Sequence, residues 1–163
     1  MKIKSNVFAR GAVVAAALAT ALAGSLAVAG QASAADYFVS DNCLDNPNPD
    51  CASGTNVLYV HYNSVDGNGY TDSARAKFLG NVPNYAGAGV NVHYIFSGNA
   101  GNGQAVKNNA ASVLACSSAA NYRVYYNSNY SGHAQYIAGD YGCNNGVNLD
   151  STLKNNNASQ AWA

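Results

Sequence analysis

The sequence contains no glutamate, and its single methionine is the first residue. Past residue 35 it holds only six leucines and three prolines. This shortage of Glu, Leu and Met removes the stock from which surface helices are built, so a helical bundle is excluded. Cations are scarce as well. Residues 36–163 carry five, Arg75, Lys77, Lys107, Arg123 and Lys154, against eight aspartates, a net charge of −3. Such scattered cations make no phosphate-tracking stripe, and no nucleic-acid partner is expected. No P-loop, G-x-S-x-G elbow or H-E-x-x-H occurs, and there is no Glu to act as acid or base, so no enzymatic activity is expected.

Long apolar runs are confined to the first 35 residues. Met1–Arg10 is cationic, Gly11–Gly30 is an uncharged Ala/Val/Leu run, and Gln31-Ala32-Ser33-Ala34-Ala35 has the small residues a signal peptidase requires. This order predicts a secretory signal peptide over residues 1–35, cut after Ala34 or Ala35. The product is expected to be extracellular, monomeric and free of the membrane.

What the remaining chain does contain is 22 Asn, 13 Gly and all 12 Tyr of the protein. These are turn formers and strand formers. Period-2 runs appear at Val57–Tyr62, at Val90–Phe96 (Val90, Val92, Tyr94 and Phe96 on one face), at Tyr122–Tyr126 and at Ala134–Ile137. Asp66-Gly67, Asn68-Gly69, Asn102-Gly103 and Asn145-Gly146 supply turns between them. The fold class is therefore all-β, with Asp72–Leu79 the one stretch suited to a helical turn. The tyrosines are expected to build the core and the corners of the fold.

Export makes the four cysteines readable as structural disulfides. They allow three pairings, of which Cys43–Cys51 with Cys116–Cys143 closes the shortest loops. No CxxC spacing suggests a redox dithiol or a zinc ribbon. His61, His93 and His133 lie far apart and are read as half-buried or surface residues rather than ligands.

An internal repeat organises the chain. Tyr62-Asn63-Ser64 recurs as Tyr126-Asn127-Ser128, Tyr94-Ile95 as Tyr136-Ile137, and Lys107-Asn108-Asn109-Ala110-Ala111-Ser112 as Lys154-Asn155-Asn156-Asn157-Ala158-Ser159. Residues 36–51 form an N-terminal disulfide loop, and residues 52–163 form two units, about 52–115 and 116–163. On this alignment the first unit carries an insertion between Val65 and Asn91.

The spacing Tyr125-xxxx-Tyr130-x-Gly132 resembles the aromatic hairpin of βγ-crystallin Greek keys, and Asn155-Asn156-x-x-Ser159 resembles their later Asn/Asp-Asn/Asp-x-x-Ser/Thr stretch. With the leader and the segment Gly101–Ser112, the chain resembles peptidase inhibitor family I36, secreted actinobacterial proteins, from about Cys51 onward. His61 and Asp66 depart from the hairpin pattern in the first unit, and Val113 and Gln160 replace the final serine of the crystallin-type stretch. The resemblance implies a βγ-crystallin-like sandwich of two Greek-key units and, by family, inhibition of an extracellular protease.

Two sets of candidate residues follow. Asn108, Asn109 and Ser112, with Asn155, Asn156 and Ser159, offer amide and hydroxyl oxygens of the kind calcium accepts, although no cofactor is required. Asp66, Asp140 or Asp150 would be needed to close such a site tightly; otherwise these side chains serve their own turns. An inhibitory loop needs a pre-organised, exposed apolar anchor. For a metalloprotease pocket the anchors are Phe78 and Leu79, in the first unit's inserted segment, and Leu44, in the Cys43–Cys51 loop. The alternative from another class is an exported calcium- or glycan-binding structural protein of the cell envelope, for which exposed tyrosines would give the contact surface.

Overall fold

Alternating apolar and polar side chains become ten strands in the computed structural model, which describes residues 35–44, 51 and 56–163. The expected signal peptide, up to residue 34, and the loop residues 45–50 lie outside the described residues. The strands are β1 (Tyr37–Val39), β2 (Val57–His61), β3 (Arg75–Leu79), β4 (Gly87–Ala88), β5 (Val92–Tyr94), β6 (Ser112–Cys116), β7 (Tyr122–Asn127), β8 (Ser131–Ile137), β9 (Val147–Asn148) and β10 (Ser159–Trp162). No α-helix occurs among the described residues, and the chain is all-β.

Two antiparallel sheets carry most of the structure, one in the order β3-β2-β6-β9 and the other β10-β7-β8. A small third sheet, β1-β5-β4, sets β1 parallel to β5. The halves exchange edges. From the second half, β9 pairs with β6, and Leu149 N donates to Ala111 O at 3.0 Å. From the first half, Val82 bridges to Gln160 of β10, and Tyr85 N donates to Ala158 O at 2.8 Å. Each half thus extends the other half's sheet.

The inner faces of the two larger sheets meet in one core. Leu58, Val60, Phe78 and Val113 come from the first sheet and Tyr122, Val124 and Ile137 from the second. Burying one such side chain stabilises by about 1.5–3 kcal/mol, which is what fixes the register of each strand. Phe78 stacks on Tyr85 with ring centroids 5.3 Å apart and meets Tyr94 edge-on at 4.9 Å. Gln160 is fully buried, where its Oε1 accepts from Tyr85 Oη at 3.0 Å and its Nε2 donates to Gly80 O at 3.0 Å.

The repeated motifs do the same backbone work in both halves. Ser112 Oγ donates to Asn63 O, and Ser159 Oγ donates to Asn127 O, each at 2.6 Å. Asn108 and Asn155 both adopt left-handed backbone, φ 62° and 59°, which Asn tolerates better than most residues. Asn108 N donates to Asn157 O and Asn155 N to Ala110 O, both at 2.8 Å, so the two Lys-Asn-Asn segments hold each other reciprocally.

Four expectations are corrected. The stretch Asp72–Leu79 contains no helical turn; Arg75–Leu79 is extended and pairs along β2. Its Arg-Ala-Lys-Phe order already alternates, with Ala76 and Phe78 inward and Arg75 and Lys77 outward. The match of Tyr94-Ile95 to Tyr136-Ile137 is not structural. Strand β8 holds Ile137 against Tyr122 as β3 holds Phe78 against Leu58, so β3 is the counterpart of β8 and the 65–91 segment is no simple insertion. Val90 leaves the face shared by Tyr94 and Phe96 and is 90% exposed. The tyrosines divide: Tyr85, Tyr94 and Tyr122 are buried, whereas Tyr37, Tyr70, Tyr126, Tyr130, Tyr136 and Tyr141 are exposed.

Candidate functional site

Three places on the surface bear on function: the stem that presents Leu44, the apolar face beside it, and a pair of clefts beneath the repeated motifs.

The stem begins at Ser40, whose carbonyl accepts from Lys77 N at 2.7 Å on the outer side of β3. Asn42 then clamps the end of β3 from both sides, since its Nδ2 donates to Leu79 O at 2.8 Å and its Oδ1 accepts from Leu79 N at 2.9 Å. Asn42 is itself buried, so these bonds are shielded from water. Asp41 turns the chain outward, accepting from Cys43 N at 2.8 Å through Oδ1 and from Lys77 Nζ at 3.0 Å through Oδ2. Disulfides join Cys43 to Cys51 and Cys116 to Cys143. Leu44 follows directly, 69% exposed, with its N–H on Asp41 O at 3.3 Å.

The other two anchors are corrected. Phe78 has no exposure and Leu79 only 2%. Phe78 points into the central core, and Leu79 packs with Val57 and Cys116 under Cys43. At this end of β3 the core covers Phe78 on the inner face, and Cys43 of the stem packs with Leu79 on the outer. Neither side chain can be offered to a partner while the sheet is intact. Of the three anchors, Leu44 alone is exposed.

Beside the stem, the outer face of the first sheet forms a cleft of about 480 Å³, lined by Val57, Tyr59, Leu114, Tyr141 and the Cys116–Cys143 pair. Arg75 lies over the Tyr59 ring at 4.6 Å from its centroid. Cys43 packs on the same cluster as Tyr59 and Leu114, so stem and cleft form a continuous surface. Sequence reasoning missed this cleft. Its only local signal was the second face of the Val57–His61 alternation, and its other walls come from β6 and the Tyr141 turn.

The candidate calcium residues gather in two clefts related by the repeat. One, of about 460 Å³, is lined by Tyr62, Asn63, Ser64, Asn109, Ala111, Lys154 and Asn155. The other, of about 270 Å³, is lined by Tyr126, Asn127, Ser128, Asn156, Ala158, Lys107 and Asn108. Each position of one list matches a position of the other. In both, the motif of one half is faced by the lysine and first asparagine of the other half. The Tyr62 side chain lies against Gly101, whose φ of 95° and missing Cβ allow the approach.

The donor chemistry of these clefts does not suit a divalent ion. Calcium is normally held by six to eight oxygens with carboxylates among them. The lining side chains offer neutral amide and hydroxyl oxygens and a lysine, and no carboxylate. Ser112 and Ser159 are fully buried and serve the backbone instead. The three aspartates that could have closed a site are engaged in their own turns. Asp66 is held below its ordinary pKa by the N–H groups of Tyr70 and Asn68, and Asp140 by those of Asn144, Asn145 and Gly142. Asp150 is lowered first by the His133 side chain, 2.7 Å away, and further by the Leu153 and Thr152 N–H groups. Among the described residues no group of three or more His, Cys, Asp or Glu gathers.

The histidines divide. His93 stacks on Phe38 at 5.2 Å and lies 3.3 Å from Asp36, and His133 pairs with Asp150; both are at the surface. His61 is 6% exposed, beneath the outer face, and its Nδ1 has no hydrogen-bond partner among the described residues. Burial, followed by the nearby Arg75 charge, lowers its pKa to about 4.

Comparison with known proteins finds no matching family model, curated protein or solved structure. The functional reading therefore rests on the geometry and on the sequence motifs.

Proposed function

We propose that the chain is a secreted, non-enzymatic protease inhibitor related to family I36, monomeric and independent of any cofactor. Its scaffold is read as a βγ-crystallin-like sandwich of two Greek-key units. The reciprocal exchange of sheet edges and the paired Ser112 and Ser159 bonds support that reading. The two disulfides are compatible with an extracellular protein.

The observation that carries the inhibitory reading is Leu44, a 69% exposed apolar side chain next to a cystine on a stem clamped to β3. Pre-organisation matters because a loop already held in one conformation loses little further entropy on docking. An exposed leucine suits the apolar primed-side pocket of a metalloprotease, and Tyr59, Leu114 and Tyr141 would surround the point of contact.

The test is a titration of the mature protein against a panel of metallo- and serine proteases. Stoichiometric inhibition is expected. Leu44→Ala should weaken it by about 1–2 kcal/mol, roughly 5–30-fold in the inhibition constant. The melting temperature should hardly move, because the side chain is exposed. If no protease is slowed at micromolar protein, the reading fails. The second reading, an exported glycan-binding envelope protein, is favoured by the exposed Tyr126, Tyr130 and Tyr136 and would then be tested by retention on cell-wall polysaccharide.

A further inference from the structure

The internal repeat sets Lys107 and Lys154 at matching positions, each one residue before a left-handed asparagine. Both side chains cross to the cleft of the other half. They do not end alike. Lys107 is partly buried, and its Nζ donates to Ser128 Oγ at 3.0 Å, which donates onward to Asn84 Oδ1 at 3.2 Å. Lys154 is exposed, and its Nζ has no hydrogen-bond partner among the described residues. The cleft with the seated lysine is the narrower, about 270 Å³ against about 460 Å³.

An ammonium fits this environment where a divalent ion does not. It carries one charge and three donors, so neutral hydroxyl and amide oxygens satisfy it without a carboxylate. Asn156 reinforces the polarity, because its Nδ2 is turned to Lys154 O at 3.4 Å, away from its own oxygen. Asn109 does the same in the other cleft, with Nδ2 on Lys107 O at 3.4 Å. Each Nδ2 is thereby taken up by a main-chain carbonyl.

We propose that Lys107 is the resident cation of the narrower cleft, a tethered ammonium from the first half that fills an oxygen-lined seat in the second. The fold carries its own cation at this seat and needs no dissolved one there. Lys154 marks the same position in the wider cleft without being seated. This role concerns the scaffold and stands apart from the inhibitory reading.

The folded, unmodified protein gives the first measurement. In a brief acetic anhydride pulse read by peptide mass spectrometry, Lys107 should label several-fold more slowly than Lys154. Calcium chloride at about 10 mM, above the weakest extracellular calcium affinities, should change neither that ratio nor the melting temperature. Lys107→Met should then melt well below Lys154→Met. Equal labelling of the two lysines would overturn the proposal. So would a rise in melting temperature with calcium, or coincident melting of the two variants. Should Lys107→Met fail to fold, the labelling ratio and the calcium titration on the unmodified protein decide the matter.

Discussion

The two halves share a backbone framework and differ in what they lay over it. On the first sheet, His61 occupies the position that Tyr125 holds on the second, each paired across from a repeated serine, Ser112 or Ser159. Tyr125 is half-exposed and meets Tyr130 edge-on at 6.1 Å. His61 is buried, opposite Arg75 on β3. Beyond these positions the Asp41–Leu44 stem packs Cys43 onto the first sheet's outer face beside the cleft, whereas the second presents Arg123 and Tyr136 to solvent. The bonds set by the repeated Asn and Ser are blind to these differences, because the serines bond a main-chain carbonyl and the asparagines bond through their own main-chain N–H. A scaffold held in this way leaves its two outer faces free to diverge, and the candidate interaction surface lies on the face that gained a covering segment.

The largest test of this comparison is in the core, where the halves should be equivalent. Phe78→Ala removes a fully buried ring and should destabilise by about 3–5 kcal/mol. Ile137→Ala, at the matching register position, should fall in the similar range of about 2–5 kcal/mol. A Phe78 variant that melts like the parent protein would show that β3 is not the counterpart of β8. Urea denaturation of both variants measures it.

A smaller effect should separate the halves by pH. The folded His61 has a pKa of about 4, below its ordinary 6.5, so the unfolded chain takes up a proton that the native chain refuses. Stability is full above about pH 6.5 and declines as pH falls towards 4, by about 3 kcal/mol in all at about 1.4 kcal/mol per unit. His61→Gln should flatten that part of the stability profile. Acid loss below it belongs to Asp66, Asp140 and Asp150, whose lowered pKa values contribute stability that disappears as they protonate. An unchanged slope between pH 6.5 and 4 in the variant would place the titration elsewhere.

The smallest effect should again be shared. Ser112→Ala and Ser159→Ala each strip a bonded hydroxyl from a buried position and should each cost about 1–3 kcal/mol. Equal losses in thermal melts support one framework in both halves; a loss confined to one half would break it.

Much of this was legible in the sequence, and the failures have physical causes. Period-2 runs announced β2, β5 and β7, and the Tyr-Asn-Ser and Lys-Asn-Asn repeats announced the shared framework. Strand β3 was missed although Arg75-Ala76-Lys77-Phe78 alternates, because the apolar Leu79 that follows interrupts the alternation, being buried on the face opposite Phe78. The anchors Phe78 and Leu79 fell with it. Leu44 could be judged exposed because it adjoins a short loop closed by cystine and rich in proline. The clefts were half visible. Their asparagines and serines are local in sequence, but the lysine facing each set arrives from the other half, and no window on one repeat contains it.

The exchange of edges has a consequence for how the chain holds together. Neither half possesses all the strands of its own sheet, so the protein resembles a domain-swapped dimer whose two subunits have been joined end to end. The join replaces a concentration-dependent association by an intramolecular one, at an effective concentration of about millimolar for a short linker. The link between β6 and β7 is that join, and the Cys116–Cys143 bond spans it a second time. A chain cut between residues 117 and 121 would still behave as one molecule when oxidised, and would become two partners of unequal length, dissociating on dilution, once reduced.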